Sequence, residues 1–199
     1  IWFTPVALSL IAASVFIVYS NSFYVPFQFD DVGSIAENRG LRSLKTAATH
    51  IYERRGVTDF TFALNYAFGG LNVAGYHAVN ILIHAFAAIA AYFFVFQTLK
   101  LVDETVEDGY ARKIAFFSSL LFALHPIQTQ AVTYIVQRQE SLASLFYLIA
   151  LLFFIAGTRR KDKAARTALY ACTAASYALA FHSKEMAFTL PAAIFLYDL

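Results

Sequence analysis

The sequence predicts an all-α integral membrane protein, a polytopic bundle of about six transmembrane helices. Three observations carry that prediction. Of the 199 residues 59% are hydrophobic, 17% are aromatic and only 14% are charged, against about 25% charged in soluble globular domains. The apolar residues fall into runs of about 15 to 25, the length a helix needs to cross a hydrocarbon core of roughly 30 Å. The basic residues come as short patches flanking those runs, as membrane anchors do.

Taken in order, the first run, Trp2 to Tyr19, has no charge and lacks the basic start and small-residue cleavage site of a signal peptide, so it reads as a retained anchor. The one long polar segment follows, from Asn21 to Ala74, with acids and bases nearly balanced. Within it Leu41, Leu44, Ala48 and Ile51 recur at helical spacing opposite Arg42, Lys45 and Thr49, which predicts an amphipathic helix in the membrane interface. Phe60 to Phe68 is a second apolar stretch, too short to cross.

Gly69-Gly70 and Asn72 signal a turn into a second spanning helix, about Gly75 to Leu99, followed by a charged connection from Lys100 to Lys113. A third helix, Ile114 to Leu124, breaks at His125 because Pro126 lacks a backbone donor and disfavours helical geometry before it. A polar stretch, Gln128 to Glu140, leads to a fourth helix, Ser141 to Gly157. The fifth apolar run, Ala168 to Phe181, holds the single cysteine, Cys172, so no disulfide framework or zinc spacing exists. The last run, Met186 to Leu199, is about 21 Å long at the helical rise, short for a span. That run, and a start at Ile1 without Met, lead to the expectation of a single transmembrane domain over 1-199 that is the N-terminal part of a longer chain.

Arg159, Arg160, Lys161, Lys163 and Arg166 form the densest basic patch, which the positive-inside rule assigns to the cytoplasm. Alternation then sends Asn21 to Ala74, His125 to Glu140 and His182 to Glu185 to the opposite face. The candidate chemistry gathers there. Asp30-Asp31, adjacent carboxylates after an aromatic approach, suit a general base or a metal ligand pair; a turn or helix cap is the plainer reading. Arg138, beside Glu140, and Lys184, beside His182 and Glu185, each put a cation where a phosphate can be held by charge-assisted hydrogen bonds; snorkelling anchors are the alternative. His77, Asn80 and His84 share one helical face and read as interhelical hydrogen bonds before metal ligands. His125 either ties down the broken helix or serves proton transfer or phosphate contact. A formal charge of +2 argues for no nucleic-acid partner.

The strings FQFDD, FALNYAFGGLNVAGYHAVNILIH, FALHPIQTQAVTYIVQRQESLASLFYL and HSKEMAFTLPAAIFLYD resemble the membrane half of the transmembrane-and-tetratricopeptide-repeat O-mannosyltransferases and their bacterial relatives, from about Phe27 to Leu199. The resemblance implies a GT-C glycosyltransferase fold that takes a polyprenyl-phosphate sugar from the bilayer and passes the sugar to a protein or glycan acceptor on the outer side. It implies that Asp30 or Asp31 activates the acceptor hydroxyl. Arg138 and Lys184, with His125, His182, Arg54 and Arg55, would hold the lipid phosphate, supported by Glu140 and Glu185. No bound organic cofactor is needed; a divalent metal, if used, would sit on Asp30 and Asp31. The implied location is a bacterial inner membrane with the site facing the periplasm or exterior. Arg55-Gly56 stands where the family pattern has Arg-Pro. A non-catalytic GT-C-like subunit packing in a larger membrane complex is the competing expectation, and a transporter ranks last because few charges fall inside helices.

Overall fold

The computed structural model describes residues 2–198, so Leu199 lies outside the described residues. They are helical, without strands. Among the described residues nine α-helices follow in order: α1 (Phe3–Tyr19), α2 (Leu44–Thr49), α3 (Gly56–Gly69), α4 (Val73–Val102), α5 (Asp108–Leu124), α6 (Gln128–Thr133), α7 (Arg138–Thr158), α8 (Lys163–Ser183) and α9 (Leu190–Asp198).

Among the described residues three stretches are long and apolar enough to cross a membrane, Phe3–Ser22, Val73–Val102 and Ile135–Thr158, and the chain is an integral membrane protein. The other predicted spans fall short of that standard for visible reasons. The apolar part of α5 begins only after Arg112 and Lys113, and α8 dilutes its apolar residues with serine, threonine and basic groups. The final apolar helix, Glu185–Tyr197, is short.

The starts of α4 and α8 carry polar side-chain caps. Asn72 accepts from the Ala74 amide at the head of α4, and Asp162 from the Ala165 amide at the head of α8. At 30 residues α4 is about 45 Å long, and it is the axis of the bundle, packed by α1, α5 and α7. The main core joins Ile11, Val15 and Tyr19 of α1 to Ile81, Ala85, Ala88 and Tyr92 of α4 and Ala115 and Ala123 of α5. Small residues let these backbones approach, and Ser119 Oγ donates to Ala88 O at 2.6 Å across the α4 and α5 contact.

The outer segment departs most from expectation. The amphipathic helix foreseen from Leu41 to Ile51 is divided: a 3₁₀ turn, Arg39–Arg42, stops at Ser43, and α2 covers only Leu44–Thr49. Ser43 is extended and its side chain accepts from the Thr46 amide, so it starts a new helix where a continuous one was expected. Phe60 to Phe68, read as a short apolar stretch, is the body of α3. The α3 turn needs Gly56, because a Cβ there would meet His50 O at 2.2 Å and Ile51 O at 2.6 Å. Ile35, Leu41, Ala47, Phe62, Ala63, Tyr76 and Ile135 then form a second core beneath this segment.

The two ends of the bundle are chemically distinct. At one, Arg112 reaches Thr4, Arg159 Nη2 donates to Gln97 O at 3.0 Å, and Lys100 pairs with Asp108 at 3.1 Å. At the other lie Asp30, Asp31, Arg54, Arg55, Arg138, Glu140, Lys184 and Glu185, joined by the contacts described next.

Candidate functional site

Arg138 opens α7 and is 0% exposed. Its Nε donates to Asn80 Oδ1 at 2.6 Å, its Nη2 to Tyr76 O at 3.0 Å, and its Nη1 to Thr61 O and Oγ1 at 3.3 and 3.2 Å. The guanidinium lies 4.4 Å from the Phe62 ring centroid. Among the described residues no carboxylate pairs with it. A buried guanidinium needs its donors satisfied, and here they bind α3 to α4. Asn80 completes the joint by donating to Val132 O at 3.3 Å and Ile135 O at 3.2 Å. Arg138 is thus engaged with protein acceptors on α3 and α4 through four hydrogen bonds.

His77 and His84 behave as the sequence foresaw. His77 Nε2 bonds Val25 O and His84 Nε2 bonds Ala123 O, both at 2.9 Å, tying α4 to its neighbours. Helix α5 ends at Leu124 with His125 extended, and His125 Nδ1 accepts from the Ile127 amide at 3.2 Å, so it caps the break that Pro126 imposes.

The two adjacent aspartates have different environments. Asp31 is 2% exposed; its Oδ1 accepts from Val136 N at 2.7 Å and its Oδ2 from Gln28 N at 3.1 Å. Burial pushes its carboxyl up, opposed by those two amides and by His77. Asp30 is exposed, and its amide donates to the Tyr134 hydroxyl at 2.9 Å. Phe29 before it stands at φ 45° and is 85% exposed, a left-handed backbone uncommon outside glycine and asparagine. The chain is thus bent so that Asp31 points in while Asp30 stays in water.

This arrangement does not suit a metal. Both Asp31 oxygens are engaged by amides, and among the described residues no group of three or more His, Cys, Asp or Glu side chains could hold an ion.

Lys184 pairs with Glu140, and Arg54 with Glu185, while Arg55 Nε lies 3.6 Å from Glu185 Oε2. Arg54 holds the Glu185 carboxyl down to about 2, chiefly through its hydrogen bond. His182 Nδ1 contacts Glu53 O at 3.3 Å and its ring meets Tyr52 edge-on. Thr58 Oγ1 donates to Ser183 O at 3.1 Å. The structure thus brings Arg54, Arg55, His182, Lys184, Glu140 and Glu185 into one clasp between the outer segment and the junction of α8 and α9. It leaves His125 on the surface and Arg138 inside.

Three cavities run past this region. Asp31, Gln130 and Tyr134 line one of about 410 Å³. Gln130 also lines a second of about 320 Å³, with Gln137, Glu140 and Ser144. Ser144 and Phe122 are shared with a third of about 330 Å³, whose walls are apolar, among them Tyr147, Leu148 and Met186. The middle cavity, lined by Gln128, Gln130, Gln137 and Glu140, has the most polar walls of the three, and these give way to apolar walls between α5, α7 and the start of the last helix.

Two participants were missed from sequence. Tyr134 carried no signal. Asp59 was one more charge in the outer segment, yet it sits in the first turn of α3, where burial pushes its carboxyl up to about 6 against the opposing effect of Arg55. An acid raised on folding favours the protonated state. Its stabilising contribution is present in full below the ordinary aspartate value of 3.8 and is lost as pH rises through about 6. The thermal midpoint of the detergent-solubilised chain is therefore expected to fall from pH 5 to 7.5, with a flatter profile for Asp59→Asn. Equal slopes for the two proteins would remove Asp59 as the cause.

Protein O-mannosyl-transferase TMTC2 of Homo sapiens is 36% identical to this chain over 166 residues, covering 75% of the chain and 18% of that relative. TMTC3 of Homo sapiens is 36% identical over 169 residues, 77% of the chain and 17% of its own length. TMTC1 of Mus musculus is 28% identical over an alignment reaching 97% of the chain. The chain spans less than a fifth of the length of TMTC2 and TMTC3. No family model matches it, and no solved structure matches it.

Proposed function

Since the chain belongs, over three quarters of its length, to the protein O-mannosyl-transferase family of the TMTC proteins, we propose that it forms the membrane part of a GT-C-type glycosyltransferase. It moves a mannose-like sugar from a polyprenyl-phosphate donor to a hydroxyl of a protein or glycan on the extracytoplasmic side. In this reading α1, α4, α5, α7 and α8 cross the membrane, and α9, nine residues long, enters it as a sixth element. The basic segment 159–166 lies in the cytoplasm, and the aspartates face outward.

The observation that carries this reading is the run of three cavities from Asp31 through Gln130 and Glu140 to the apolar walls of Tyr147 and Leu148. It fits a substrate with a polar head and a hydrocarbon tail. The Asp30 carboxylate takes the acceptor hydroxyl proton as the acceptor oxygen bonds the sugar C1. The bond from C1 to the phosphate oxygen breaks, and the lipid phosphate leaves with the electron pair. Lys184, one-fifth exposed beside Glu140, stabilises that anion. Asp31 is a positioning residue that holds the bend at Phe29 against Val136 through the Val136 amide. Membrane lipid and the acceptor are the partners in this reading.

A second reading, a non-catalytic subunit of a larger membrane complex, draws on one observation: Lys184 and Arg54 are already partnered within the chain, by Glu140 and Glu185. Transfer of radiolabelled mannose from a polyprenyl-phosphate donor to protein, in membranes holding the full chain, separates the two. We expect transfer above membranes lacking the chain, and a rise of about tenfold or more in the donor KM for Lys184→Ala. No transfer above the empty-membrane control would select the subunit.

A further inference from the structure

A fourth cavity, of about 200 Å³, is lined by Val136, whose amide donates to Asp31, and lies between the segment preceding α2 and the head of α3. Ser34, Arg54, Arg55, Asp59 and Gln139 line it, with Phe62 as an apolar wall. None of these residues takes part in the three cavities described above.

Its polar groups are incompletely satisfied from within. Arg55 Nε is buried without a hydrogen-bond partner among the described residues, and Glu185 Oε2, at 3.6 Å, lies beyond hydrogen-bond reach. Arg55 is held at φ 62°, and no side chain caps α3 behind it. Gln139 is buried, and its Nε2 donates to Gln137 Oε1 at 3.3 Å, which leaves its amide oxygen free to accept. A ligand here must therefore accept from Arg55 and α3 while donating to Gln139 and Asp59.

Charge decides between two kinds of ligand. Arg54 and Arg55 are opposed by Glu185, which both approach, and by Asp59 beside Arg55. Arg138 does not line the cavity; its guanidinium lies over the Phe62 ring. With two cations facing two acids, a phosphate would gain little net attraction. A neutral polyol, whose hydroxyls both donate and accept, would meet both kinds of partner here. We propose that this cavity binds a monosaccharide ring through its hydroxyl groups, held by Arg55, Asp59 and Gln139. The proposal rests on the sugar-transfer reading and adds where the sugar is recognised, in a cavity lined by Val136, whose backbone amide Asp31 grips.

Saturation-transfer NMR on the full chain in detergent, with methyl α-mannopyranoside as the probe, tests this without turnover. The wild type is expected to give a signal on the sugar ring protons, reduced about fivefold or more in Gln139→Leu and in Asp59→Leu. Tyr110→Ala, at the far end of the bundle, should match the wild type. Size-exclusion and circular dichroism profiles confirm that each variant is folded. No signal from the folded wild type overturns the proposal, as does a signal unchanged in both folded cavity variants. Displacement of the sugar by inorganic phosphate also overturns it and marks an anion site. Sugar binding without any mannosyl transfer would leave the cavity assignment standing and remove the transferase reading. Transfer with cavity variants that bind like the wild type would do the reverse.

Discussion

Asp30→Asn is expected to lower mannosyl transfer by about 10²- to 10⁴-fold, the scale of losing a positioned general base, while the protein accumulates and folds as the wild type does. The reasoning is geometric. The Asp30 side chain is exposed, and its backbone amide, which the substitution keeps, makes the bond to Tyr134. Asp31→Asn predicts a different pattern. Both Asp31 oxygens accept backbone amides, so an asparagine would turn its NH₂ toward either Gln28 N or Val136 N and lose one of the two bonds. Reduced stability should therefore accompany reduced transfer in that variant. The measurement is transfer per folded molecule in the same membranes, with folded protein counted by size exclusion. If Asp30→Asn transfers normally and Asp31→Asn alone is inactive at full stability, the base is Asp31 and the assignment of roles is wrong.

Much of the bundle was legible because hydrocarbon imposes few solutions. The α1 and α4 runs and the break at Pro126 followed from length, hydropathy and the chemistry of one imide. The polar groups on α4 were also legible: His77 and His84 bond neighbouring carbonyls, as polar residues inside a bundle must. The outer segment was less so. Leu41, Leu44, Ala48 and Ile51 share a helical period, but Ser43 competes for the backbone as a cap, and the period does not register that competition. The clasp of Arg54 and Glu185, 131 positions apart, leaves no local trace in either stretch. Asp59 was invisible as a titrating group because its raised pKa comes from burial, which only the packing of α3 creates.

Arg138→Met is expected to destabilise the chain by about 3 to 5 kcal/mol, as loss of the hub of a buried polar network does. A methionine of similar length fills part of the volume but leaves Asn80 Oδ1, Tyr76 O and the Thr61 acceptors without their donor. Arg138→Lys should fall between, since a single ammonium cannot reach acceptors on three sides and loses the flat contact with Phe62. Thermal unfolding in detergent reads the loss, and mannosyl transfer per folded molecule reads the function separately. From sequence the same residue was expected to hold the lipid phosphate, and the two roles predict opposite results. A structural hub lowers the unfolding midpoint and leaves the donor KM of the surviving folded molecules near the wild-type value. A phosphate ligand leaves the midpoint alone and raises that KM, an outcome that would mean the enclosure by Thr61, Tyr76 and Asn80 opens when the donor arrives.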